Sequence, residues 1–243
     1  MKLNFYKLIL ITSIAASGQQ AFSQEKSPWK HESEAAVVKV DGNTTSESYS
    51  AKQKTIYTFD ANALTAAGRY LQTRAGGTET AKSWDASLRY ERLFSDLWST
   101  FLQHGAESDF YAGYIQRDNT DVGAKYYFTK SETQNLFSEL GYRYSTTIPA
   151  GTGGKVYDSF GRLYTEFNSK VTETLSAKLW VEYLPNFREA DAYLVNYEPS
   201  ASVMINSIFS LKVAYLVKYH NKTVTATEKK EDTTFTTALV AKF

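Results

Sequence analysis

Three histidines, His31, His104 and His220, are the residues of this 243-residue chain best suited to acid–base work. A histidine that takes the proton of a serine hydroxyl turns that serine into a nucleophile, the chemistry of lipid and peptide hydrolysis. His31-Glu32-Ser33 is the one local cluster of this kind. Residues two apart on a strand share a face, but a nucleophile and its base also need hydrogen-bond geometry. The His-x-Ser-Asn-Gly run of phospholipase barrels is absent. His220 reads as a polar residue at a strand end, and His104, beside Gly105, as a strand-to-loop exit. We therefore expect no catalytic residue and no enzyme.

Metal and cofactor chemistry have less support. The histidines are scattered and there is no cysteine, which removes thiolate sites, disulfides and a lipidated anchor. Glu107 and Asp109 would hold calcium weakly at most. Gly153-Gly154-Lys155 lacks the rest of a phosphate loop and a helix after it, and reads as a loop tip. The net charge of +1 gives no electrostatic footprint for nucleic acid. No cofactor and no nucleic-acid partner are expected.

The remaining charges recur on alternate positions. Trp84, Ala86, Leu88 and Tyr90 alternate with Asp85, Ser87, Arg89 and Glu91, and Phe209 to Tyr219 alternates with Ser210, Lys212 and Lys218 in the same way. Successive side chains of a strand point to opposite faces, so each segment has one apolar and one polar face. About twelve segments fit this period: 29–40, 45–59, 63–74, 82–92, 97–105, 113–128, 135–146, 157–167, 174–184, 192–205, 208–220 and 233–243. The fifth leaves open whether Trp98/Thr100/Leu102 or Leu97/Ser99/Phe101 faces out. The first has only small or short apolar residues beside Glu32 and Glu34, so ten strands remain an alternative.

Short connections such as Asp60-Ala61-Asn62 and Asn206-Ser207 alternate with ones read as longer, among them 75–81, 107–112, 148–155, 187–191 and 221–232. That rhythm is the meander of an outer-membrane barrel. No stretch is long and apolar enough for a transmembrane helix. A basic start (Lys2, Lys7), an apolar run from Leu8 to Ala16 and small residues at Ala21 and Ser23 predict a cleaved secretory signal peptide over 1–23. Its removal takes two lysines and no acid, changing the charge from +1 to −1. Residues 24–243 then form one domain.

A soluble sandwich also alternates, so the distribution of aromatics decides. They make up 15% of the chain, with 18 Tyr and 14 Phe. Phe59, Tyr90, Phe128, Phe167, Phe209 and Phe243 fall near the short turns, and Trp84, Tyr144, Tyr157, Tyr183, Tyr193 and Tyr219 near the long loops. Two such belts suit two membrane interfaces. The last strand carries Phe235, Leu239 and Phe243 on one face, and resembles the assembly signal of outer-membrane barrels. The fold expected is all-β: an antiparallel up-and-down transmembrane barrel in the outer membrane of a Gram-negative bacterium. Its expected partners are outer-membrane lipid and, through the last strand, the barrel-assembly machinery.

Several segments resemble one bacterial family. Asp41-Gly42-Asn43-Thr44-Thr45 is similar to its first turn, with Gly42, Asn43 and Thr44 carrying the likeness. Tyr90 to Asp96, Phe110 to Tyr114, Val122 to Tyr127 and Asp232 to Phe243 resemble later segments in the same order. The family is the YdiY-like salt-induced outer-membrane proteins, defined by a domain of unknown function. The resemblance implies a small outer-membrane barrel with no established activity and supplies no catalytic residue.

The inward faces would then carry Asp85, Arg89, Glu91, Arg117, Asp121, Lys125, Glu139, Arg143, Arg162, Glu166, Lys178, Glu182, Lys212 and Lys218. Balanced signs favour pairing across a packed or very narrow interior, because unpaired buried charges are unfavourable. The alternative is a water-filled path for small solutes, its selectivity tuned by the same charges. The function expected is that of a structural or envelope-stress-associated membrane component. A passive narrow channel is the alternative, and a lipid-modifying enzyme a more distant one. The mean hydropathy of −0.40 fits a barrel, since half of every strand faces a polar lumen.

Overall fold

The computed structural model describes residues 27–41, 45–151, 153–222 and 229–243. The segment 1–23 and the turn Gly42-Asn43-Thr44 lie outside the described residues. The first six strands are β1 (Trp29–Val40), β2 (Ser46–Phe59), β3 (Asn62–Ala75), β4 (Thr78–Leu93), β5 (Trp98–Asp109) and β6 (Tyr114–Lys130). The others are β7 (Gln134–Pro149), β8 (Val156–Lys170), β9 (Leu175–Leu184), β10 (Leu194–Met204), β11 (Phe209–His220) and β12 (Glu231–Lys242). Each pairs antiparallel with its sequence neighbours, and β1 pairs with β12 to close a barrel. The weakly patterned first and fifth segments are both strands, which settles twelve over ten. Pairing of the first and last strands is what lets a sheet cross lipid, since a free edge must otherwise be desolvated, and here that pairing runs from Glu32–Lys242 to Ala35–Leu239.

Turn chemistry sets the register. Asp60 adopts φ 48° in the tight β2–β3 turn, a conformation that aspartate tolerates better than most side chains. On the opposite side the β3–β4 connection, read as 75–81, is shorter than expected. Gly76 and Gly77, at φ 58° and 79°, complete it within two residues, as a primed hairpin turn requires. The strands run on past the sequence reading at 107–109 and 148–149 as well, because polar residues above an interface can still pair their backbones.

β5 resolves its own ambiguity: Trp98 and Leu102 face outward at 52% and 54% exposure, while Ser99 and Phe101 face the lumen at 1% and 3%. Leu88, Val122, Leu140, Leu163, Leu179 and Leu239 also lie exposed on the outer wall. The aromatics expected in two belts lie on this outer face, most of them near strand ends, whereas Trp84 and Tyr144 sit further in because β4 and β7 run on past them. An outer wall of Leu and Val between two aromatic belts is the surface of a membrane-spanning barrel.

Polar side chains on that wall occur mostly as cross-strand partners. His31 Nδ1 meets Thr55 Oγ1 at 3.0 Å and Ser33 Oγ donates to Gln53 at 2.5 Å. His104 Nδ1 meets Thr120 Oγ1 at 2.9 Å, and Ser138 meets Thr165 at 2.8 Å. All four are direct register partners. Hydrocarbon offers no hydrogen bonds, so a polar group there must find a protein partner. His104 is thus not a strand-to-loop exit: β5 continues to Asp109, and the ring sits mid-strand on the outer wall.

Candidate functional site: an ion-paired lumen

Charged side chains on the inward faces of β4, β6, β7, β8 and β9 meet inside the barrel as one network. Arg143 grips Asp121 with Nε to Oδ1 at 2.7 Å and Nη2 to Oδ2 at 2.8 Å, and also reaches Glu182 at 3.1 Å. Arg162 donates to Glu182 and to Glu139, each at 2.7 Å. Arg89 donates twice to Glu139, at 2.7 and 3.2 Å, and to Glu91 at 3.0 Å. Glu91 accepts from Ser99 at 2.7 Å and faces Lys125 at 3.5 Å. Four cations therefore meet four carboxylates. Paired charges with several hydrogen bonds each are the form in which buried ions persist.

Aromatic rings fill the space between these groups. The Arg89 guanidinium lies 3.9 Å from the centre of the Phe101 ring, and that of Arg162 lies 5.6 Å away. The Lys125 ammonium lies 4.1 Å from the Phe137 ring. Such contacts favour cations that have lost water. Gly123 makes room for Phe101, because a Cβ there would come within 2.9 Å of the ring.

A second group occupies the other side of the lumen. Lys212 donates to Glu34 at 2.8 Å and faces Glu198 at 3.7 Å, while Lys52 faces the same two carboxylates at 3.8 and 3.7 Å. Arg69–Asp85 at 2.7 Å, Lys178–Glu166 at 2.9 Å and Arg117–Glu107 at 3.4 Å are separate pairs. Between them these contacts engage every lumen charge expected from sequence except Lys218. Lys218 faces inward with Lys212 and Ala214 but has no carboxylate partner among the described residues.

Sequence reasoning missed Glu34, Lys52, Arg69, Glu107 and Glu198. Their strands carry alanine, serine or threonine on both faces, which weakens the apolar reference for the inward side. Extending the two-residue period from Leu64 and Tyr70, both outward, would have placed Arg69 inside.

The histidine–serine cluster does not form a dyad. His31 and Ser33 share the outer face, but their hydrogen bonds go to Thr55 and Gln53, and Glu32 points inward to Lys242 at 3.0 Å. His220 ends β11 on the lumen side, as a rim residue. Among the described residues no cluster of three or more acids and histidines could hold a metal ion.

The model of a protein family of unknown function, DUF481, matches residues 33–243. The chain belongs to this family. No curated protein matches it. Among solved structures, the NanC porin superposes with a TM-score of 0.54 at 7% identity, covering 87% of this chain and 98% of that one. The KdgM porin superposes more loosely, with a TM-score of 0.45 at 9% identity over 88% of this chain and 96% of that one. At that identity the likeness is one of fold: this DUF481 member has the fold of outer-membrane β-barrels.

Proposed function

We propose that this DUF481 member is a structural barrel of the bacterial outer membrane whose lumen is held shut to solute flow by its own ion pairs, and that it is not an enzyme. The observation that carries the reading is Arg162, 7% exposed at its side chain and shared between Glu139 and Glu182. A guanidinium bound on two sides inside the barrel fills the volume a solute would need, and its release would take from Glu139 and Glu182 one of the two guanidinium partners each has. His31 and Ser33 bond outward to Thr55 and Gln53 on β2, which takes this pair out of a His–Ser dyad.

The finer parts of the reading rest on sequence. Residues 1–23 export the chain and are removed. The strand ending in Phe235, Leu239 and Phe243 engages the barrel-assembly machinery, and the segments from Tyr90 to Asp96 and Asp232 to Phe243 place the protein with the YdiY-like salt-induced members of the family.

A specific observation favours a second reading, a narrow passive channel. The β2–β3 wall presents Ser48, Ser50, Thr65 and Ala67 to the lumen, and Lys54 on that wall is exposed. Small side chains leave room for water and small solutes along that wall. Planar-bilayer recording with the purified protein separates the two. The shut barrel gives no steps above the empty bilayer, and regular steps in moderate salt overturn it in favour of the channel.

A further inference from the structure

The wall of the barrel is not closed over its whole height. β1 and β12 pair from Glu32–Lys242 to Ala35–Leu239, extended below by the reciprocal backbone bonds of His31 and Phe243 at 2.7 and 3.1 Å. Above Ala35 the ladder stops. The same two strands continue in the sheet on their other edges: β1 pairs with β2 up to Val40–Ser46, and β12 pairs with β11 up to Tyr219–Glu231. The strands therefore diverge as intact elements. Residues 36–40 of β1 and 234–238 of β12, which the register would place opposite each other, are unpaired across the seam. Five residues at about 3.3 Å each, tilted by about 40°, leave roughly 12 Å of open wall on the loop side of a band about 25 Å tall.

On β1 exposure rises at the opening: inward-facing Glu34, at the top of the paired stretch, is 8% exposed, Ala36 is half-buried and Val38 is 54% exposed, while on β12 Ala238 stays buried and Thr236 and Thr234 above it are half-buried. The floor of the opening is fixed: Lys212 of β11 reaches past β12 to Glu34 of β1, and Lys242 of β12 reaches Glu32 of β1. These ion pairs cross the seam where the ladder holds, and no such pair crosses it above among the described residues.

We propose that this opening is a lateral port that takes an amphiphile from the outer leaflet, with its polar headgroup in the lumen and its alkyl chain in the membrane. The chemistry on the two sides selects that class of ligand. Outside, Val37, Phe235 and Leu239 face the hydrocarbon. Inside, Ser48, Ser50 and Thr236 offer hydroxyls. The strand edges supply backbone N–H and C=O groups that hydrocarbon cannot satisfy and a polar headgroup can. An apolar solute would leave those edges unpaired, and a fully polar one would not enter from the leaflet.

The chain has no cysteine, so the seam can be mapped by engineered pairs in the full-length protein in outer-membrane vesicles. A disulfide needs Cα atoms within about 7 Å. Ala35→Cys with Leu239→Cys, a register pair, should oxidise fully. Lys39→Cys with Phe235→Cys, which would be partners if the ladder continued, should stay reduced. Both double variants must show heat-modifiable migration, which confirms that each barrel has formed. A diazirine-bearing palmitic acid, photoactivated in vesicles containing the parent protein, should label lumen-facing Val38 and Val40 as well as the outer wall. Oxidation of the upper pair as complete as that of the lower one overturns the port, and so does label confined to outward-facing residues.

Discussion

Gly123 and Gly141 face one another across β6 and β7, and neither position has room for a side chain. A Cβ on Gly123 would lie 2.5 Å from the Leu140 carbonyl oxygen and 2.8 Å from the Gly141 Cα. A Cβ on Gly141 would lie 2.7 Å from the Val122 carbonyl oxygen. The missing side chain at Gly123 leaves the space in which the Phe101 ring sits beside Arg89 and Arg162.

Gly123→Ala should therefore destabilise the barrel by about 1–3 kcal/mol, the range for overpacking against atoms that cannot move aside. Gly153→Ala, where a Cβ meets nothing within 4 Å, is the control and should be neutral. Urea unfolding in detergent micelles, followed by tryptophan fluorescence, reads the difference. Equal midpoints for the two variants would show that the glycine pair is not needed.

Replacing Arg162 tests the network. Arg162→Met leaves Glu139 and Glu182 with one guanidinium each, from Arg89 and Arg143. The expected loss is near the lower end of the about 3–5 kcal/mol that follows breaking a buried pair. Lys82→Ala, which removes an exposed pair with Glu79 at 3.9 Å, should change stability by less than about 1 kcal/mol. The same urea titration compares them, and an Arg162 variant as stable as the Lys82 variant contradicts the network's structural role.

These two tests fall on the part of the molecule that sequence described well. Alternation on β4 and β7–β9 is strong because Leu88, Leu140, Leu163 and Leu179 mark the outer side without ambiguity, so Arg89, Glu139, Arg162 and Glu182 could be assigned inward with no structure. The pairing itself was not legible: Arg89 and Glu139 are 50 residues apart and two strands intervene. β1 to β3 were harder to read, since Ser33, Gln53 and Thr55 face lipid while Ala36 and Ala67 face the lumen, the reverse of the usual assignment. Only the register shows that the outward polar groups satisfy one another. The partial β1–β12 ladder leaves no trace in the sequence, because both strands keep their period beyond the point where they separate.

Opening the lumen should be achievable by deletion. In Arg89→Ala/Phe101→Ala, the ring and one of the guanidinium groups stacked on it are removed, and Glu91 and Glu139 lose a cation. Planar bilayers containing this variant should show steps absent from the parent. Reversal potentials in a salt gradient should favour cations, because carboxylates are left in excess. A silent variant that still migrates as a folded barrel would mean that the remaining network closes the path without them.

Phe243 ties the last strand to the first. Its backbone exchanges hydrogen bonds with His31 and its ring centre lies 5.3 Å from that of His31. Phe243→Ala should lower the fraction of protein that reaches the heat-modifiable form in cells, and the product that does form should unfold at lower urea. An assembly defect without a stability defect would assign the residue to recognition by the assembly machinery alone.

The polar wall of β1 and β2 makes the last test. Ser33 Oγ donates to Gln53 Oε1, and Gln53 Nε2 donates to Thr55 Oγ1 at 3.1 Å. Gln53→Leu alone strands the Ser33 hydroxyl in hydrocarbon, and about 1–3 kcal/mol should be lost, the desolvation penalty of a polar group left without its partner. Adding Ser33→Ala removes the stranded hydroxyl, so the double variant should regain most of that loss. Thr55 keeps its bond to His31 in every variant, so the cycle isolates the Ser33–Gln53 pair. Additive losses in the urea midpoints would mean that the two side chains do not meet on the lipid face, and the paired-polar account of the outer wall would fail with them.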